Sequence, residues 1–337
     1  MSQQYNVAVF GATGAVGETI LEVLQERKFP VGNIYLLASE RSEGRTSRFN
    51  GKTVRVENVE DFDWSQVHIA LFSAGAELSA KWAPIAADEG VVVIDNTSQF
   101  RYEYDVPLVV PEVNPEAIAE FRNRNIIANP NCSTIQMVVA LKPIQDAVGI
   151  ERINVSTYQS VSGAGKAGID ELAGQTARLL NGVPAESEHF SQQIAFNCIP
   201  QIDQMMENGY TREEMKMVWE TQKIFNDPGI TVNPTCVRVP VFYGHAESLH
   251  VETCAPIDAQ DVIQLLENTE GVEVFQGDDF PTQVRDAGGK DHVMVGRIRN
   301  DISHHSGVNL WVVADNVRKG AATNAVQIAE VLIRDYY

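Results

Sequence analysis

Residues 5–10 form a short apolar run, and three glycines follow at Gly11, Gly14 and Gly17. Beyond them Val16, Ile20, Val23 and Leu24 recur at the spacing of one helical face, so the order is strand, glycine turn, amphipathic helix. Residues 33–38 read as a second strand. Residues 68–72 and 91–95 are continuous apolar runs between helical segments, the pattern of a parallel sheet covered on both faces. Residues 126–128 predict a strand end, Asn129-Pro130-Asn131 a tight polar turn, and the following stretch a buried helix. Ile135, Val138, Val139 and Lys142 fall on one side of that helix, and Pro143 is expected to end it. After Pro143 the pattern changes. Residues 153–161 alternate as a half-buried strand does, and residues 162–166 are a turn. Thr211-Arg-Glu-Glu214 reads as a capping box opening a helix through Met215, Val218, Trp219 and Ile224. Strand-like stretches at 235–242, 248–255, 292–299 and 309–314 predict an antiparallel or mixed sheet. Residues 319–333 close the chain with an amphipathic helix. No internal repeat or low-complexity linker interrupts this order.

A chain of 337 residues exceeds the usual size of one domain, and 44% hydrophobic residues can fill two cores. The expected division is a dinucleotide-binding domain of residues 1–131 and 317–337, and a second domain of residues 132–316. The formal net charge of −19 repels nucleic acid and anionic membrane, and no basic run offsets it. An anionic substrate must therefore be held by a few placed Arg or Lys side chains. The polar start predicts no signal peptide, and no apolar run reaches membrane-spanning length. Four scattered cysteines without a CxxC pair point to a reducing compartment, the cytoplasm, and to no metal site. Cys198, Cys236 and Cys254 are expected to be core thiols.

Candidate chemistry sits at the ends of the predicted strands, where ligands of open parallel sheets bind. Gly11 allows a tight turn, Gly14 lets the backbone approach a pyrophosphate, and Gly17 allows close helix–strand packing, although the spacing is GxxGxxG rather than GxGxxG. After the second strand, Ser39-Glu40-Arg41-Ser42 offers Glu40 to ribose hydroxyls or Arg41 and Ser42 to a 2′-phosphate. The second option favours NADP, and a solvated Arg41 is its plain alternative. Ser73 lies in a small-residue loop that would face the cofactor. Arg101 follows another strand end and by itself reads as a surface arginine. Cys132 falls at a predicted helix N-terminus, where backbone N–H groups and the helix dipole lower a thiol pKa. One more buried thiol is the competing reading. Glu220 and Lys223, three apart on a predicted helix, read alone as a solvated ion pair. Arg238 precedes by seven residues His245, which follows a strand and a glycine, and a lone histidine there reads more often as structural.

Together these segments resemble the aspartate-β-semialdehyde dehydrogenase family. The matching stretches are Gly11-Ala-Thr-Gly-Ala-Val-Gly17, Asn129-Pro-Asn-Cys-Ser-Thr134, Gln159 with Ser162-Gly163, Glu220-Thr-Gln-Lys223, Arg238 through His245, and Asn316-Val-Arg-Lys-Gly-Ala-Ala322. They run in order across essentially the whole chain. The resemblance implies an α/β protein with a Rossmann-type dinucleotide-binding domain. Beside it stands an α+β catalytic and dimerisation domain with a largely antiparallel mixed sheet, as in glyceraldehyde-3-phosphate dehydrogenase. It implies NADPH-dependent reductive dephosphorylation of L-aspartyl-4-phosphate to L-aspartate-4-semialdehyde through a cysteine acyl-thioester, a step in lysine, threonine, methionine and diaminopimelate biosynthesis. By resemblance, Cys132 is the nucleophile, His245 the acid/base, and Gln159 orients the substrate or intermediate. Arg238 binds the α-carboxylate and Glu220 the ammonium group, while Arg101, Asn131 and Lys223 hold phosphate. Gly11, Thr13, Gly14, Ala15, Val16, Arg41, Ser42, Ser73, Ser162, Gly163 and Asn316 contact NADP. The implied assembly is a homodimer or homotetramer. The chain departs from some members at Asn316, where they carry glutamine, and from some in a shorter interval between Glu220 and Arg238.

The near alternative is N-acetyl-γ-glutamyl-phosphate reductase, which shares the thioester logic. Its cysteine sits in Asn-Pro-Gly-Cys, and its acetylated amine has no use for Glu220. Glyceraldehyde-3-phosphate dehydrogenase would carry Ser-Cys-Thr-Thr-Asn, and a short-chain dehydrogenase Tyr-x-x-x-Lys; neither is present. A non-catalytic nucleotide-sensing regulator explains the glycine turn but not Cys132, Gln159, Arg238 and His245 together. A metal enzyme built on His304-His305 lacks accompanying ligands.

Overall fold

The computed structural model describes residues 3–337. The chain falls into two compact units. One runs to Asn131 and resumes at Ala321, and the other is Cys132–Gly320.

The first unit is built from β1 (Tyr5–Phe10), α1 (Ala15–Glu26), β2 (Val31–Ala38), β3 (Thr46–Phe49), β4 (Lys52–Asn58), β5 (Ile69–Phe72), α2 (Ala76–Asp88), β6 (Val92–Asp95) and β7 (Ile126–Ala128). Its sheet has the order β3-β4-β2-β1-β5-β6-β7. All neighbours are parallel except the β3–β4 hairpin at the edge. β1 lies between β2 and β5, so the crossover direction reverses there, and the crevice at the ends of β1 and β5 is where a dinucleotide is expected. The central strands are buried from end to end, which is why they read as unbroken apolar runs.

The second unit holds α3 (Cys132–Val148), β8 (Ile150–Gln159), α4 (Gly165–Leu180), α5 (Arg212–Ile224), β9 (Thr231–Arg238), β10 (His245–Thr253), α6 (Ala259–Glu267), β11 (Val272–Val274), β12 (Val293–Asn300) and β13 (Gly307–Ala314). The sheet order is β11-β12-β13-β10-β8-β9. The three central pairings are antiparallel, and the two outer ones, β11–β12 and β8–β9, are parallel. This is the expected fold class, with a mixed sheet. α3 packs on β8, β10, β12 and β13, while α5 packs on β9 and on α3. The C-terminal helix α7 (Thr323–Asp335) belongs to the first unit and buries Ala325, Val326, Ile328, Ala329 and Leu332 in its core.

Several local expectations need correcting. α3 does not stop at Pro143 but runs through it to Val148. Only the bond to the Val139 carbonyl is lost, and the buried face of the helix compensates. β9 ends at Arg238, before Pro240, whose missing N–H cannot extend a ladder, and His245 opens β10 instead of following a strand. The return to the first unit comes at Ala321 rather than at 317, because the turn through Arg318–Ala322 keeps Gly320 against Cys132. Cys236 is buried as expected, but Cys198 and Cys254 are exposed. Cys198 lies in the loop before the isolated bridge between Ile199 and Arg238, and Cys254 just past the end of β10.

Candidate active site

In the first unit, α1 starts at Gly14 with no side-chain cap, so its first N–H groups are not satisfied by a side chain of the cap residue. A Cβ on Gly17 would come within 2.2 Å of the Gly11 carbonyl oxygen, and one on Gly11 would meet Ser73 and Ala74 at 2.8 Å. Only glycines allow the β1–α1 turn and the β5 loop to approach this closely. Thr13 Oγ1 donates to Ser42 Oγ at 3.3 Å, which ties the glycine turn to the loop bearing the exposed Arg41. The cradle fits a dinucleotide: an uncapped helix start for the pyrophosphate, and Thr13 bonded to Ser42, next in the chain to Arg41. At the far end of the sheet Arg101 is buried, not a surface arginine. Its Nε donates to the Asn129 carbonyl at 2.9 Å and its Nη2 to the Asn96 carbonyl at 2.8 Å, holding the guanidinium against the turn that carries Asn131.

In the second unit, Cys132 opens α3 and is half-buried. Register places His245 of β10 opposite Gln159 of β8. His245 is fully buried. Ser160 N–H donates to its Nδ1 at 3.1 Å, and Ser160 Oγ lies 3.2 Å from the same atom. An N–H donor at Nδ1 assigns the ring proton to Nε2. Burial, reinforced by the Arg238 charge, pulls the His245 pKa down to about 3, so the ring is neutral at pH 7.

Two bonds fix the Gln159 amide. Its oxygen accepts from Thr157 Oγ1 at 3.0 Å, and its Nε2 donates to Glu213 Oε1 at 3.1 Å. Arg238 Nη1 donates to the Ser160 carbonyl at 2.7 Å. Its charge is near enough to interact with Glu213 and with Cys132. Gly163 abuts both cation and ring: a Cβ there would lie 3.1 Å from Arg238 Nη1 and 3.3 Å from His245 Nε2.

Glu213 was not among the candidates, yet it sits at the centre of this network. Lys216, three residues on, donates to its other oxygen at 2.9 Å and to Asp203 at 2.8 Å. Burial alone would lower the Lys216 ammonium, but Glu213 and Asp203 more than offset it and hold the pKa above its ordinary value. Both halves of the predicted capping box form, Glu214 N to Thr211 Oγ1 at 3.2 Å and Thr211 N to Glu214 Oε2 at 2.7 Å, which sets Glu213 in the first turn of α5. Glu220 and Lys223 lie seven residues further along the same helix, about 10 Å down its axis. The carboxylate–ammonium pair at Gln159 and Arg238 is therefore Glu213–Lys216, not Glu220–Lys223. The same i,i+3 spacing occurs twice on this helix, and that repeat was the available signal.

Asn316 turns out to be a brace. Its Oδ1 accepts from Ser160 Oγ at 3.1 Å, Ser162 Oγ at 3.1 Å and Gly244 N at 2.9 Å, tying the loop after β8 to the residue before His245. Among the described residues no group of three or more His, Cys, Asp or Glu could hold a metal ion, and no helix is long and apolar enough to cross a membrane.

The unit with the glycine turn and the unit with Cys132, His245, Arg238 and Gln159 each match a model of the semialdehyde dehydrogenase class. The family model for the semialdehyde dehydrogenase NAD binding domain matches residues 6–121, and the one for the semialdehyde dehydrogenase dimerisation domain matches residues 141–319. Within that class the chain belongs to the aspartate-semialdehyde dehydrogenase family. It is 85% identical to aspartate-semialdehyde dehydrogenase 2 of Vibrio cholerae over the full length of both chains. It is 54% identical to an aspartate-semialdehyde dehydrogenase of Aquifex aeolicus, with 98% of each covered. The crystal structure of the Vibrio cholerae aspartate semialdehyde dehydrogenase II complexed with ASA superposes with a TM-score of 0.99 at 84% identity, each chain fully covered. The Candida albicans aspartate semialdehyde dehydrogenase with NADP gives 0.78 at 25% identity, covering 98% of this chain and 99% of that one. The chain is thus an oxidoreductase of this family with a nicotinamide-dinucleotide domain.

Proposed function

We propose that the chain catalyses NADPH-dependent reductive dephosphorylation of L-aspartyl-4-phosphate through a Cys132 acyl-thioester, supplying aspartate semialdehyde to amino-acid biosynthesis in the cytoplasm. The observation that carries this reading is the convergence of Arg238, Gln159 and a neutral, fully buried His245 in the unit whose first helix begins at Cys132. The thiolate, stabilised by the start of α3 and by the Arg238 charge, attacks the acyl carbon. The bond between the acyl carbon and the bridging phosphate oxygen breaks, phosphate leaves with that oxygen, and a thioester remains. Reduced nicotinamide, when bound, supplies the hydride. His245 presents Nε2 to the oxygen on which charge develops and exchanges its proton there. Collapse of the tetrahedral thiohemiacetal frees the aldehyde and the thiol.

Arg238 would take the substrate α-carboxylate by its planar fork, and Glu213 its ammonium group. Arg101, Asn131 and Lys216 would take the phosphate. Thr13, Gly14, Ala15, Val16, Arg41 and Ser42 would hold NADP, with Arg41 on the 2′-phosphate. A carboxylate at Glu213 argues against an N-acetylated amine. The dimerisation name of the matched domain supports a homodimer. Tyr158, Phe242, Tyr243 and Phe280 are partly exposed apolar side chains that such an interface would cover.

The test is absorbance at 340 nm with aspartate semialdehyde, phosphate and NADP. NADPH formation should require phosphate and vanish in Cys132→Ala. Activity surviving in that variant would rule out the thioester route. If wild type is active only on N-acetylglutamate semialdehyde, the substrate assignment falls.

A further inference from the structure

Directly behind Cys132 and His245 lies a second polar pair. Gln136 is one turn along α3 from Cys132, four residues on and on the same face. Glu247 is one pleat along β10 from His245, two residues on and on the same face. α3 packs on β10, and both side chains are fully buried. Neither carboxyl oxygen of Glu247 and neither amide atom of Gln136 meets a partner at ordinary hydrogen-bond geometry, yet Gln136 is the hydrogen-bonding group that bears on the Glu247 carboxyl. Opposite Glu247 in the ladder stand Thr157 of β8, whose hydroxyl is given to Gln159, and the apolar Val312 of β13.

An ionised carboxylate in this setting would be strongly penalised. Burial pushes the Glu247 pKa well above its ordinary value, which favours the protonated carboxyl. A carboxylic acid has one donor and one acceptor, and a primary amide offers the matching acceptor and donor. Ile135, Val138, Val139 and Leu141 supply the apolar part of the α3 contact. Apolar contact is non-directional, so that part sets how close the helix sits but little about its rotation or slide. A polar pair facing across the contact would fix both.

We propose that Glu247 and Gln136 form a positioning pair that pins the first turn of α3 to β10, and so holds the Cys132 thiol in register with His245 Nε2. The proposal rests on the thioester reading above.

The experiment compares wild type with Glu247→Leu, Glu247→Gln, the swap Gln136→Glu with Glu247→Gln, and Cys132→Ala, all as the full chain. It reads kcat, KM, melting temperature, and the rate of iodoacetamide alkylation at Cys132 as a function of pH. Glu247→Leu removes a poorly satisfied polar group, so its melting temperature should hold or rise. Its kcat should nevertheless fall about 10- to 100-fold, the scale of an ångström misplacement, with KM within about twofold and a displaced alkylation profile. Glu247→Gln keeps an amide–amide pair, and the swap restores acid to amide in reverse, so both should recover most of kcat. Wild-type kcat and alkylation in Glu247→Leu would overturn the proposal. So would a Glu247→Gln as impaired as Glu247→Leu, because the carboxyl itself would then be needed. If Glu247→Leu fails to fold, Gln136→Met makes the same test from the helix side. Activity in Cys132→Ala would remove the thioester reading and this proposal with it; an inactive Cys132→Ala beside a fully active Glu247→Leu would remove this proposal alone.

Discussion

Gly320 packs hard against Cys132, the proposed nucleophile. A Cβ built there would lie 2.8 Å from Cys132 Cβ and 3.2 Å from Cys132 Cα, backbone-proximal atoms that cannot rotate away. Carbon atoms in good contact sit about 3.5–4.0 Å apart, so Gly320→Ala asks the two segments to separate by roughly 0.7–1.2 Å. The turn through Arg318–Ala322 is anchored by Gly320 N to the Asp315 carbonyl at 3.0 Å. The Asp315 carboxylate in turn caps Val317 N at 2.8 Å and Gly289 N at 2.8 Å. That side is braced, so the displacement falls on the first turn of α3. Overpacking of this kind costs about 1–3 kcal/mol of stability, and an ångström at the reacting atom costs on the order of 100-fold in rate. Gly320→Ala should therefore remain folded, with a melting temperature a few degrees lower, while kcat falls about 30- to 100-fold and KM changes little. Phosphate-dependent NADPH formation and iodoacetamide alkylation of Cys132 measure the two effects. A Gly320→Ala enzyme with kcat and alkylation rate within twofold of wild type would refute the reasoning.

The remaining predictions address the rest of the site. Glu213→Gln removes the charge facing Gln159, Lys216 and Arg238, and should raise KM for the amino-acid substrate at least tenfold; Glu220→Gln should raise it far less, and equal effects would return the assignment to Glu220. Arg41→Ala should raise KM for NADP while leaving that for NAD within about twofold; parallel losses would deny the 2′-phosphate contact. His245 has a folded pKa of about 3 against 6.5 unfolded, so the unfolded chain binds the extra proton and stability falls as pH drops below 6.5. Between pH 7.5 and 5 this contributes a loss of about 2 kcal/mol, which His245→Gln should abolish in paired denaturation curves. An equal acid sensitivity in the variant would assign the loss to other groups.

Much of the fold was legible because its signals are local. Continuous apolar runs gave the parallel strands of the first unit, and Thr211 with Glu214 gave the start of α5. The amphipathic spacing after residue 319 gave the closing helix, whose opening turn, Arg318–Ala322, is π-helical and runs directly into α7. The β3–β4 hairpin was not legible, since its edge strands are short, polar and largely exposed. The course of α3 through Pro143 was also hidden. A proline is a strong local stop signal, and only burial on several sides lets the helix continue past it.

Residues in rare settings are easy to single out in a sequence, and repeated motifs are easily shifted. Cys132, Gln159, Arg238 and His245 each occur once in a distinctive setting. Glu–x–x–Lys occurs twice, seven residues apart, and a shift of two helical turns leaves the helical face almost unchanged. The clue was present as a discrepancy: the interval from Glu220 to Arg238 looked short, and starting from Glu213 lengthens it by seven residues. The strands held a second clue. Thr157, Gln159, His245 and Glu247 occupy the face of β8 and β10 that alternation assigns to the core, in two opposed pairs, His245 with Gln159 and Glu247 with Thr157. Buried polar groups demand partners, so four of them on adjacent pleats require a network between sheet and helix. Three of the four have partners of ordinary geometry in Ser160, Glu213 and one another. The fourth, Glu247, has none of ordinary geometry and bears on Gln136, and that places the remaining test of the site on the helix that begins at Cys132.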